Sequence, residues 1–178
     1  MNKLIISSVI VLSSFIGFSQ EYQFTSVVDL DCSEVKSQGN TGTCWSYSTS
    51  SFLESEIKRI TDMDIDLSEM YTVRNTYPKK AWNYVMRQGK AQYSQGGLAH
   101  DVLNSVENYG LVPEMAFTGL ATNETKHNHS EMIAVTKAML DAYIKNPAKK
   151  LSPRWKTSVE AVLDIYLGKN PKIFTYKG

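Results

Sequence analysis

The chain has 178 residues, 42% apolar and 21% charged, and 19 Lys+Arg against 18 Asp+Glu give a formal net charge of +1. That suits one globular domain, or one and a fraction, while 11% aromatics argue against disorder. The balanced charge leaves no electrostatic footprint for nucleic acid and no polybasic anchor for a membrane, and two cysteines are too few for a disulfide scaffold or a four-cysteine zinc site.

The first residues read as an export signal. Met1-Asn2-Lys3 is a short positive start, and Leu4 to Phe18 is an uncharged, mostly apolar run of 15 residues. Gly17 and Ser19 lie three and one positions before a cut that would leave Gln20 first. The run is short for a membrane span, so residues 1–19 are expected to direct export to the periplasm or outside the cell and then be removed. An uncleaved anchor is the alternative; after cleavage no membrane contact is expected.

Most of the remainder reads as helix. Residues 44–60 carry Trp45, Phe52, Leu53, Ile57 and Ile60 at helical spacing, with a small, polar first half that needs tertiary packing to hold it. Ser68 followed by Glu69 reads as an N-cap. Pro78 is expected to kink or end that helix, with Ala81 to Arg87 resuming. Gly96-Gly97 punctuates before a helix from Leu98 to Tyr109, stopped at Gly110. Residues 118–130 are polar and read as a loop. Ser130 is the expected cap of a helix with Met132, Val135, Met139, Ala142 and Tyr143 on one face. Ser152-Pro153 opens a last helix that stops at Gly168. Lys172 to Tyr176 alternates as a strand would.

The stretch with chemical content is Gln38-Gly39-Asn40-Thr41-Gly42-Thr43-Cys44-Trp45. A glycine-bearing loop delivers a cysteine to a helix start, where free N–H groups and the positive dipole end favour an anion. The thiolate is the nucleophilic form of cysteine. The Gln38 amide can donate back toward the sulfur and, with the Cys44 N–H, would form a two-donor oxyanion hole. The competing reading is a buried helix cysteine, or a Cys32–Cys44 disulfide that abolishes nucleophilicity.

Thr41-Gly42-Thr43-Cys44-Trp45 resembles the nucleophile signature of the papain family of cysteine peptidases, with Thr41 in place of the family's first cysteine. Asp66-Leu67-Ser68-Glu69, Gln95-Gly96-Gly97 and Tyr109 to Glu114 are similar to later family motifs in the same order. Ser68-Glu69-Met70-Tyr71 and the helical stretch after Phe117 resemble the bleomycin hydrolase and aminopeptidase C branch.

The resemblance implies an α+β papain-like fold, of which this chain is mainly the helical (left) domain, with the β-rich domain largely missing. Residues 20–117 would be the papain-like helical domain, 118–171 a helical insertion and 172–178 the start of the β domain. It implies Cys44 as nucleophile, Gln38 as oxyanion donor, and Gly96 and Gly97 as backbone partners of an extended peptide substrate. Core packing is the other role for Trp45, and a plain turn the other role for the two glycines. No cofactor or metal is implied.

The mechanism needs an imidazole base and a group to orient it. His100 sits in a helix start and reads as a surface residue. His127 and His129 read as part of a solvated loop, a two-histidine metal site being the less specific option. Both missing groups are therefore expected beyond residue 178, so the chain alone should be inactive and should expose apolar surface meant for its partner domain. A homo-oligomer of the full-length protein is left open. The rival function is a non-catalytic papain-like binding or structural module.

Overall fold

The computed structural model describes residues 22–121 and 124–176; the expected export signal over residues 1–19 lies outside them. Among the described residues, five α-helices follow in chain order: α1 (Cys44–Thr61), α2 (Glu69–Met86), α3 (Ala99–Tyr109), α4 (Ser130–Ile144) and α5 (Arg154–Leu167). A 3₁₀ turn, Glu114–Ala116, lies between α3 and α4.

Helix α2 is the centre, packed against each of the other four. Ser68 caps it, its Oγ accepting from the Tyr71 N–H at 3.0 Å. Pro78 lies inside it and does not end it, one of the two outcomes the sequence suggested. A mid-helix proline costs about 3 kcal/mol. Val73, Tyr77, Ala81 and Val85 around it are fully buried, and burying a large apolar side chain contributes about 1.5–3 kcal/mol. Packing therefore outweighs the missing hydrogen bond. Arg74 ties α2 to α5, reaching Glu160 at 2.7 Å and Asp164 at 2.6 Å.

Helix α1 buries a different face from the one its apolar spacing suggests. Trp45, Ser46, Thr49, Ser50 and Glu54 point inward, whereas Phe52 is 61% and Ile60 69% exposed. Two of the inward polar groups are engaged by backbone from α2 and its approach. Ser46 Oγ donates to the Glu69 carbonyl at 2.8 Å, and Glu54 Oε1 accepts from the Leu67 N–H at 2.8 Å. Helix α4 likewise buries Met132, Thr136 and Leu140, leaving Val135 exposed. Its N-cap is His129 rather than Ser130, and α5 is capped at Pro153, one residue later than expected.

The Asp66–Ser68 segment is held by its partner across the chain. Leu67 and Pro113 form an antiparallel bridge, flanked by Ser68 N–H to Val112 O and Glu114 N–H to Asp66 O. No strand is present among the described residues, so Lys172–Tyr176 is not one. The alternation there has no sheet edge to pair with; the Tyr176 hydroxyl donates to Asp64 O at 3.2 Å. Tyr22, Phe24, Val27, Val28, Leu30 and Val35 stand exposed along the extended segment before α1.

Candidate active site

The loop into α1 is closed by its own bonds. The Gln38 amide donates to the Thr41 carbonyl at 2.7 Å, and Thr41 Oγ1 donates to the Gln38 carbonyl at 2.9 Å. Thr43 Oγ1 lies 2.6 Å from Thr41 Oγ1 and is fully buried. Gly39 turns the chain with φ +65, and any side chain there would meet the His127 carbonyl at 2.6 Å. Such a position needs glycine on both counts.

Cys44 is the first residue of α1, exposed, with a free thiol. Cys32 is free as well, so the Cys32–Cys44 disulfide does not form. Ser46 and Tyr47 N–H groups both donate to Thr43 O. The N–H groups of Cys44 and Trp45 come before any intrahelical acceptor. The first turn holds no acidic residue, so nothing there offsets the dipole's preference for an anion. The thiol is open to solvent there. The Gln38 amide is spent on Thr41; no hydrogen bond joins it to Cys44 among the described residues.

The other rim is Ser94–Gly97. Gln95 spans both sides: its Oε1 accepts from the Gly42 N–H at 2.6 Å, and its carbonyl accepts from Trp45 Nε1 at 3.0 Å. Sequence reading missed this side chain, since a glutamine before Gly-Gly carries no local signal of a partner fifty residues back. Gly97 packs under the Trp45 ring, where a Cβ would lie 2.7 Å from two ring carbons. Gly96 faces open space, with its carbonyl taken by Lys80 Nζ. A depression of about 410 Å³ runs between the rims, bordered by Gly42, Gln95, Gly96, Ser130 and Ile133. Trp45 thus packs in the core, while Gly96 keeps an accessible edge.

A charge cluster that the sequence reading also missed joins α1 to the start of α2. Lys36 Nζ bonds Glu69 Oε1 at 2.9 Å, touches Asp66, and lies 3.6 Å from Glu54 Oε1. Glu54 and Glu69 are each only 4% exposed. Burial alone would lower the Lys36 pKa, but the bonds to Asp66 and Glu69 outweigh it and hold the ammonium above its usual range. Burial raises Glu69, and pushes Glu114 up to about 7 with help from the Glu69 charge. The legible trace was Ser46, Ser50 and Glu54 at intervals of four on one helix face.

None of the three histidines is hydrogen-bonded to Cys44 among the described residues. His100 is exposed and pairs with Asp101 at 3.6 Å. His129 is buried and His127 half-buried, contrary to the solvated loop expected. His129 is 2% exposed, with Nδ1 3.1 Å from the Tyr77 hydroxyl. Burial, and the neighbouring His127, push it down to about 4. Burial also lowers His127, against the opposing charge of Glu124.

A family model described as papain family cysteine protease matches residues 23–163. The chain belongs to the papain family of cysteine proteases. No curated protein matches it. The match spans the loop to Cys44 and the Gln95–Gly97 edge, as well as α4 and its His127–His129 approach.

Proposed function

We propose that the chain supplies the nucleophile half of a thiol peptidase site of the aminopeptidase type, with Cys44 as nucleophile. The observation that carries the reading is the exposed, unpaired thiol at the first position of an 18-residue helix whose first turn lacks acidic residues. The Cys44 thiol gives its proton to the base, the sulfur attacks the scissile carbonyl carbon and the carbonyl oxygen takes the negative charge; the C–N bond then breaks as the base returns that proton to the nitrogen, leaving an acyl-enzyme and a free amine. The Cys44 N–H and the Gln38 amide receive that oxygen, Gln38 exchanging Thr41 for it. The Gly96 edge takes the backbone of the extended peptide.

The base and its orienting asparagine come from polypeptide outside these residues. That reading is supported by the commitments of His127 and His129 elsewhere and by the exposure of His100. The exposed apolar residues between Tyr22 and Val35 suit a surface covered by a β-rich partner domain. The charged start and apolar run of residues 1–19 favour action outside the cytoplasm.

Alkylation of the native protein with iodoacetamide, followed by peptide mapping, tests the nucleophile. Cys44 should label at least tenfold faster than Cys32. Equal rates at the two exposed cysteines would remove the basis for the proposal. A fluorogenic peptide assay on the same material should show no turnover; papain-like hydrolysis would place the base within the chain.

A further inference from the structure

The segment His127–His129 meets the nucleophile loop directly. The Asn40 N–H donates to the His127 carbonyl at 2.8 Å, and Asn40 and Asn128 form a parallel bridge. Gly39 leaves no room beyond that carbonyl for a side chain. Two residues further on, the His129 ring is buried against α2, with Nδ1 at the Tyr77 hydroxyl and Nε2 buried without a partner. The His129 carbonyl accepts from the Ile133 N–H at 3.0 Å and so begins α4. Tyr77 is itself fully buried in the middle of α2. A continuous chain of contacts thus runs from the central helix, through Tyr77 and His129, to the backbone that carries Gln38 and Cys44.

A buried imidazole nitrogen without a partner is desolvated at a cost. A phenylalanine or leucine would fill the same site without that cost. What the imidazole has in return is its bond to the Tyr77 hydroxyl, which fixes the ring and with it the register of the backbone at His127.

We propose that Tyr77 and His129 are positioning residues for the nucleophile: their hydrogen bond holds the His127 carbonyl on Asn40 and thereby sets the Gln38–Cys44 loop. The claim that this matters for Cys44 rests on the thiol-peptidase reading. The claim that the loop is held from His129 stands on the contacts alone.

The test is amide hydrogen exchange on the whole chain, read at Asn40, with the rate of Cys44 alkylation measured in parallel. Tyr77→Phe removes one oxygen and almost no packing volume. It should raise exchange at Asn40 at least tenfold and change the Cys44 alkylation rate at least threefold, while the Val73 and Ala81 amides keep their protection. His129→Phe should do the same. His129→Asn, which keeps a hydrogen-bonding group near the Nδ1 position, should restore most of the protection. Gly39→Ala attacks the contact from the loop side and should expose Asn40 without touching the Tyr77–His129 pair.

Unchanged Asn40 exchange in Tyr77→Phe overturns the proposal, and so does a loss in His129→Phe that His129→Asn fails to rescue. Raised exchange with an unaltered Cys44 rate overturns the positioning role. If Cys44 in the unaltered protein labels no faster than Cys32, the peptidase reading fails, while the exchange result still decides how the loop is held.

Discussion

Gln38 and Thr41 hold each other twice, amide to carbonyl at 2.7 Å and hydroxyl to carbonyl at 2.9 Å. The ring of bonds closes the turn that ends at Cys44, so the oxyanion donor of the proposed mechanism is stored as a structural group. Gln38→Ala deletes one net hydrogen bond, worth about 1 kcal/mol. In a chain of this size that lowers Tm by about 2–4 °C. Gln38→Glu replaces the donor with a carboxylate facing the Thr41 carbonyl and should cost more. Equal melting temperatures for both variants and the unaltered protein, by circular dichroism, would show that the turn does not depend on this pair.

Two adjacent glycines should answer very differently to alanine. A Cβ at Gly97 would sit 2.7 Å from two carbons of the Trp45 ring. That ring is fixed by its Nε1 bond to Gln95 O and cannot swing away. Overpacking of this kind costs about 1–3 kcal/mol. Gly96→Ala meets nothing within 4 Å and should stay within about 0.5 kcal/mol of the parent. Urea midpoints of the two variants give the comparison; a larger loss at Gly96 than at Gly97 would contradict the packing described.

Three of the helix ends were legible because their signals are local. Ser68 before Glu69, and Gly110 and Gly168 after their helices, mark boundaries by the chemistry of a single residue. So was the place of Cys44 at the first position of α1. The buried face of α1 was not legible, because apolar spacing selects Phe52 and Ile60 while the interior is built for Ser46, Ser50 and Glu54. Ser46 and Glu54 are inside because the Glu69 carbonyl, the Leu67 N–H and Lys36 meet them there. The polarity of the His127–His129 approach misleads for a related reason. It suggests solvent, but His129 is buried by α2, and the His127 backbone is claimed by Asn40. Contacts between distant segments leave no periodicity to find.

Removing the Lys36 ammonium should be among the costliest single changes outside the hydrophobic core. Lys36→Met would leave the side chains of Glu54 and Glu69, 3% and 5% exposed, facing each other without their cation. Stranding a buried charge in this way costs about 3–5 kcal/mol, which corresponds to a drop in Tm of at least about 6 °C. The double variant Lys36→Met with Glu69→Gln should recover part of the loss, since one buried charge is removed with its partner. Thermal melts at pH 7 decide it. A Lys36→Met protein melting within about 2 °C of the parent would mean that water, rather than Lys36, solvates the carboxylates.

Stability should respond to pH through two groups of opposite sign. His129 is held at about 4 by burial and by His127, against 6.5 when unfolded. Between those values the unfolded chain binds a proton that the folded chain refuses. Its contribution is complete above pH 6.5 and is lost as the pH falls to 4, by up to about 3 kcal/mol. The groups facing it are His127 and Tyr77, the latter close to Tyr93, and Glu124 acts on His127. Glu114 runs the other way. Burial, Glu69 and Asp66 raise it to about 7 against the pull of Lys36, so the folded chain keeps a proton that the unfolded chain has released. Its contribution is complete below pH 4.5 and is lost as the pH rises through 7. Between pH 4.5 and 6.5 the two slopes oppose each other. In Glu114→Gln, Tm should therefore rise with pH more steeply across this window than in the parent. In His129→Phe it should fall relative to the parent, whatever constant offset the lost Tyr77 bond adds. Slopes that change in the reverse sense, measured from pH 4 to 7.5, would mean that water reaches His129 and Glu114 in the folded protein.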